Sequence, residues 1–198
     1  MGLAINHEDG QTPLDENESV GLLLNTITTQ GELNEAEQLN IEEAVEWTLR
    51  KKFEVDYILS ETFCNELHRK MYRGVWQWAG TFRKTNKNIG VDKYQIQAAF
   101  RTLIDDCKVW IDHQTYPADE IAVRFKHRIV SIHCYSNGNG RHSRLMADVI
   151  VSHIFGRPVF TWGAANLVKA GEARETYIKA LKAADKGDLT GLVGFARG

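Results

Sequence analysis

The chain is poor in cysteine, carries no excess of charge of either sign and has no long apolar run. Cys64, Cys107 and Cys134 make an odd number, and two of them lie in stretches of helical apolar spacing. Such residues read as reduced thiols in a cytosol and not as a disulfide framework. A net charge of −2 leaves no nucleic-acid footprint. The longest apolar run is too short and too interrupted for a membrane span. Met1 to Asn25 lacks the basic-then-apolar order of a secretory leader. The expectation is a cytoplasmic protein with no membrane segment. Internal repeats, low-complexity tracts and an interdomain linker are also missing.

What is present suits a single domain. A chain of 198 residues with 43% hydrophobic and 25% charged side chains is long and apolar enough to bury a sizeable core. The apolar periodicity is helical almost throughout, so the expected fold class is all-α. Residues 1–20, with Gly10 and Pro13, read as an irregular arm. Asn34 and Glu37 have capping-box spacing and open a helix to about Lys52. Ser60 caps a second, with Phe63, Leu67 and Met71 at four-residue spacing. Thr81 to Ile96 alternates apolar and polar residues around Asn88 and Gly90, which predicts an irregular β-hairpin. Phe100, Leu103, Ile104, Cys107, Trp110 and Ile111 mark the next helix. Asp119 caps another, with Ile121, Phe125, Ile129 and Ile132 on its core face. Leu145 to Phe155 is apolar nearly all round and should be a central helix ended by Gly156 and Pro158. Gly171 to Lys186 and Leu189 to Ala196 are the last two helices.

One stretch carries chemistry. Residues His133 to Arg144 read His-Cys-Tyr-Ser-Asn-Gly-Asn-Gly-Arg-His-Ser-Arg. The Gly138-Asn139-Gly140 turn frees backbone N–H groups at a helix start, where the helix dipole also favours anions. Arg141 and Arg144, three apart, share a face of the first turns and can grip phosphate oxygens bidentately. His133 is placed to take a proton from an incoming hydroxyl. Together these describe a phosphoryl- or nucleotidyl-transfer site. The turn is neither a dinucleotide fingerprint nor a P-loop. His127, His133, Cys134 and His142 fit no standard structural zinc spacing. Asp148, four residues after Arg144, offers that arginine a plain helical ion pair.

The stretch closely resembles the signature of the Fic family, His-x-Phe-x-(Asp/Glu)-Gly-Asn-Gly-Arg-x-x-Arg. Tyr135 stands where the family has Phe. Trp78-Ala79-Gly80-Thr81-Phe82-Arg83 and Asn88-Ile89-Gly90-Val91 look like the Fic flap. Tyr177-Ile178-x-Ala180-Leu181-x-x-Ala184-Asp185-x-Gly187-Asp188 looks like the segment near the nucleotide base. Within the family the chain looks closest to the bacterial subgroup called mobile mystery protein B.

The resemblance implies a Fic-type helical bundle with a small β-hairpin flap, and AMP transfer from ATP to a Ser, Thr or Tyr hydroxyl of a target protein. It implies that His133 is the general base. Gly138, Asn139, Gly140 and Arg141 would hold phosphates, and Arg144 the terminal one. Asn137 replaces the family's magnesium-binding carboxylate. A neutral amide oxygen is a weaker ligand for a hard cation, so Mg²⁺ binding should be weak. Thr28 and Glu32 match an inhibitory motif, (Ser/Thr)-x-x-x-Glu-(Gly/Asn), although Leu33 departs from it. Glu32 is thereby expected to pair with Arg144 and block ATP. The implied division is an arm over 1–20, an inhibitory segment over 21–34 and a Fic-type domain over 35–198. The flap, Lys84 to Lys93, is expected to bind the target segment by strand addition. Two other readings stand beside AMP transfer: removal of AMP or transfer of another nucleotide or phosphate group, and a non-catalytic nucleotide-binding module.

Overall fold

The computed structural model describes residues 21–163 and 170–198, with side chains in the last segment from residue 175 onward. The arm expected over 1–20 lies outside the described residues. The described chain is helical: α1 Gln30–Arg50, α2 Val55–Ile58, α3 Glu61–Tyr72, α4 Ile96–Asp112, α5 Ala118–Ile132, α6 Asn139–Val149, α7 Ala170–Ala184 and α8 Thr190–Arg197. A π-helical turn, Ile150–Ile154, prolongs α6.

Helix α5 is central. It packs against α4, α6 and α8, while α1 lies on α3. The reason is in the spacing of apolar residues. Phe63, Leu67 and Met71 of α3, Phe100, Leu103 and Cys107 of α4, and Ile121, Phe125 and Ile129 of α5 are all buried in one continuous core. Each apolar side chain of this size contributes about 1.5–3 kcal/mol on burial. Helix α6 supplies Leu145, Met146 and Val149, and the π turn adds Ile150 and Val151. All three cysteines are free and buried. No helix among the described residues is long and apolar enough to cross a membrane.

Three expectations are corrected. Helix α1 starts one turn earlier than Asn34. Its capping box is Thr29 with Glu32, not Asn34 with Glu37. Both pairs have the same spacing, but Glu37 points into the protein instead. Asp119 does not cap α5. The N-cap is Pro117, and Asp119 instead accepts two hydrogen bonds from Arg197, at 2.6 and 2.8 Å. The hairpin expected between Thr81 and Ile96 forms no strand among the described residues. Its backbone bonds go elsewhere: Arg83 N–H donates to Cys134 O at 2.9 Å and Val91 N–H to Ile132 O at 3.2 Å. Side chains close the loop in place of a ladder. Asn86 donates to Asp92 at 2.8 Å and accepts from Lys93 N–H at 2.8 Å.

Candidate active site

His133 closes α5. It adopts the left-handed conformation, φ 58° and ψ 61°, and is 4% exposed. A non-glycine residue is uncommon there and persists only where its surroundings hold it. The holding group is Arg83. Its Nε donates to His133 O at 2.6 Å, its Nη1 to Thr85 O at 2.7 Å and its Nη2 to Val91 O. One buried guanidinium thus ties the flap loop to the end of α5. Gly90 lies directly on the histidine: a Cβ built there would stand 2.5 Å from His133 Cβ.

The chain then turns into α6. Gly138 has φ 76°, and the ring of Tyr72 fills the space a side chain would need. Gly140, by contrast, is open on that side, with nothing within 4 Å. The first-turn N–H groups of α6 lack intrahelical partners, as at any helix start, the arrangement that in general suits an anion.

Asn139 braces the turn with its side chain. Its side chain accepts from Tyr135 N–H at 2.9 Å and donates to Tyr135 O at 2.8 Å. It is 5% exposed, and both ends of the amide staple the turn. Asn137 Oδ1 accepts from Gly138 N–H at 2.6 Å, so its one good metal-binding oxygen is already engaged. Among the described residues no three His, Cys, Asp or Glu side chains are grouped to hold a metal ion. These residues do not fit a resident magnesium.

The two arginines are held separately. Arg141 Nη2 donates to Glu37 Oε2 at 2.7 Å, and Glu37 Oε1 accepts from Trp76 Nε1 at 2.6 Å. Glu37 is almost wholly buried, while the Arg141 side chain remains 42% exposed. The glutamate takes one corner of the guanidinium fork and leaves other donors facing out. Arg144 makes no ion pair with Asp148. Its Cζ lies 4.6 Å from the Tyr177 ring centroid and 5.9 Å from that of Trp162. Asp148 accepts instead from Phe160 N–H at 3.1 Å and Trp162 Nε1 at 3.2 Å.

Glu32 lies in the first turn of α1, where Thr28 and Thr29, and not Arg144, are its hydrogen-bond partners. Its carboxylate accepts from Thr28 N–H at 2.8 Å and Thr29 N–H at 3.0 Å. These bonds hold its carboxyl below the usual range.

Sequence reasoning missed four supports. Glu37 was read as a capping residue. Arg83 was noted only as part of the flap. His68 and Lys126 gave no signal of their own. His68 is fully buried and stacks on Tyr135, with ring centroids 3.7 Å apart. Its Nδ1 accepts from Gly80 N–H at 2.9 Å, so its Nε2 carries the proton donated to Asn137 O at 3.1 Å. Burial, with the nearby His142 second, pushes its pKa well down, which keeps this tautomer neutral. His142 is likewise depressed by burial, to about 4.

Fold and site together define a helical protein in which a histidine ends one helix shortly before the start of another that carries Arg141 and Arg144. Residues 58–151 match the model of the Fic/DOC family. That stretch, just under half of the chain, is a Fic/DOC-family segment. Among solved structures, Fic-1 from C. elegans aligns over 89% of this chain and 51% of its own, at 20% identity and TM-score 0.68. BepC, a VirB-translocated effector from Bartonella tribocorum with bound AMPPNP, aligns over 91% of this chain and 96% of its own, at 14% identity and TM-score 0.68. The N-terminal Fic domain of a cell filamentation protein from Bartonella quintana aligns over 92% of both chains, at 15% identity and TM-score 0.69. At these identities the likeness shows the fold. The chain spans about half the length of the solved C. elegans chain. No curated protein matches it in sequence.

Proposed function

We propose that this chain is a nucleotidyltransferase that moves AMP from ATP to a Ser, Thr or Tyr hydroxyl of a target protein. The family in general covers AMP transfer and related nucleotidyl transfer. The observation that carries the reading is the placement of His133 next to an open helix N-terminus whose first turn bears Arg141. The AMPPNP bound by the similar BepC structure supports a nucleotide as ligand.

In this proposal His133 takes the proton of the target hydroxyl. The oxygen attacks the α-phosphorus, the bond to the bridging oxygen breaks, and pyrophosphate leaves. The amides of Asn139 and Gly140, with Arg141, stabilise the charge that builds on the phosphoryl oxygens. Catalysis rests mainly on positioning. Arg83 and Gly90 hold His133, Glu37 holds Arg141, and Asn139 and His68 hold the turn. The target segment lies along the flap loop at residues 84–93. With its backbone bonds directed to Ile132 and Cys134, that loop offers side chains and its outer edge.

Restraint by the segment 21–34 enters in one form. Glu32 would have to give up its hydrogen bonds to Thr28 and Thr29 in the capping box of α1 to reach Arg144, so its first duty is to that helix. Incubating the purified chain with ATP labelled at the α-phosphate tests the reading. Transfer supports it. Release of AMP from a modified protein points to the reverse reaction, and binding without either points to a nucleotide-binding module.

A further inference from the structure

One face of α3 holds two parts of the site at once. Asn65, His68, Arg69 and Tyr72 follow each other at helical spacing and share that face. The stripe meets Gly80, at the root of the flap loop. Gly80 has φ 76°, and a Cβ there would stand 2.6 Å from Asn65 O and 2.7 Å from Arg69 Cβ. The same stripe meets Gly138, where the Tyr72 ring takes the room of the missing Cβ. Two glycines thus let two separate backbone segments close onto one helix. The Tyr135 hydroxyl, just before the turn, donates to Asn65 Oδ1 at 2.9 Å.

His68 stands in the middle of this stripe and bonds both segments. Its Nδ1 accepts from Gly80 N–H at 2.9 Å, and its Nε2 donates to Asn137 O at 3.1 Å. The ring is stacked on Tyr135 at an interplanar angle of 17°, so turning it would break the stack and both bonds. Only a neutral imidazole accepts at one nitrogen while donating at the other, and burial keeps this one neutral. The Asn137 carbonyl belongs to the peptide bond leading into Gly138. Its orientation sets how the next amides, those of Asn139 and Gly140, face. Both backbone groups are costly to leave unbonded in a buried setting, so a single ring ties the positions of the two segments together.

We propose that His68 is a positioning residue whose one imidazole couples the flap root at Gly80 to the turn at Asn137–Gly140, so that seating the donor on the turn also sets the flap. This rests on the nucleotide reading of that turn. A donor on the amides of Asn139 and Gly140 steadies the Asn137 carbonyl. The carbonyl steadies the ring, and the ring steadies Gly80 N–H. A target segment along the flap loop then meets a donor already in place. His68 carries none of the chemistry itself and acts through the backbone groups it holds.

The test is calorimetry with ATP and amide hydrogen exchange on the full chain, on His68→Asn and on His68→Gln. The Asn amide oxygen takes the place of Nδ1 and accepts from Gly80 N–H, but Asn is too short to reach Asn137 O. The Gln amide nitrogen takes the place of Nε2 and donates to Asn137 O, with no acceptor left for Gly80. In the native chain ATP should slow exchange of the Gly80 amide by at least about threefold. His68→Asn should keep Gly80 protected and lose about tenfold in ATP affinity, while His68→Gln should keep ATP affinity within about twofold and exchange Gly80 about tenfold faster. In both variants ATP should no longer slow Gly80. ATP binding to the native chain with no effect on Gly80 overturns the coupling, whether or not either variant folds. Equal losses on both readouts in both variants make His68 a plain structural residue and overturn it as well. Either result leaves the nucleotide reading intact. No ATP binding by the native chain removes that reading and this inference together.

Discussion

Glu37 grips Arg141 across 104 residues of sequence, at 2.7 Å, from inside the protein. The same carboxylate holds Trp76 Nε1 at 2.6 Å. A buried glutamate thus sets the orientation of an arginine at the mouth of the anion site, and α1 is fastened to α6 through it.

Removing that carboxylate should therefore cost both stability and site geometry. Glu37→Ala leaves Trp76 Nε1 and Arg141 without their acceptor, and should lower stability by about 2–3 kcal/mol; the exposure of Arg141 keeps the figure below that of a fully buried pair. Glu37→Gln keeps an acceptor for Trp76 and should lose less. Urea denaturation of both variants checks this. Equal and negligible losses would mean that the pair does not anchor α1.

Glu32→Gly separates a cap from an inhibitor. Glu32 is exposed and spent on Thr28 and Thr29. The variant should melt at lower temperature and bind ATP within about twofold of the native chain, since Arg144 is not its partner here. A tenfold gain in ATP affinity would instead assign Glu32 the blocking role.

Gly90→Ala should strike at His133. The added Cβ would sit 2.5 Å from His133 Cβ and 2.9 Å from Ile132 O, at φ 94°. Strain of this kind costs about 1–3 kcal/mol. We expect a lower Tm and a fall in kcat larger than the change in KM. An unchanged kcat would show that the contact does not position the histidine.

Asp148 gives a pH signature. Burial raises its pKa to about 6, despite bonds from Phe160 and Trp162 and the pull of Arg197 and Arg144. The folded value lies above the ordinary 3.8, so between about pH 4 and 6 the native state holds more protons than the unfolded state. Its contribution to stability is present below that window and lost as pH rises through it. Asp148→Asn should remove the effect and gain about 2 kcal/mol relative to the parent at pH 7 compared with pH 4. His68 and His142 run the opposite way in both proteins, so only the difference isolates Asp148. A difference that is flat with pH would contradict the assignment.

Much of this architecture was legible in the sequence because burial repeats. Phe63, Leu67 and Met71, or Ile121, Phe125 and Ile129, declare their faces by spacing alone. The motif was legible because glycine, histidine and arginine types are tied to particular jobs. What stayed hidden depends on long-range partners. Thr29-Glu32 and Asn34-Glu37 have the same capping spacing, and only the position of Trp76 and Arg141 decides between them. The alternation in 81–96 suggested a hairpin, yet Arg83 and the end of α5 take up the backbone bonds a ladder would need. That the Asn139 side chain would bind both backbone groups of Tyr135 was not legible either. Lys126 sits in an unremarkable helical stretch, and its burial follows from where α7 packs.

The most direct test of the account follows α-labelled ATP with the native chain and with His133→Ala, in an ATP-depleted protein mixture. Native protein should place the α label, and not a γ label, on protein hydroxyls. Folded His133→Ala should transfer about 10²–10⁴-fold more slowly, the usual contribution of a general base. Transfer of γ label, or undiminished α transfer by His133→Ala, would contradict it.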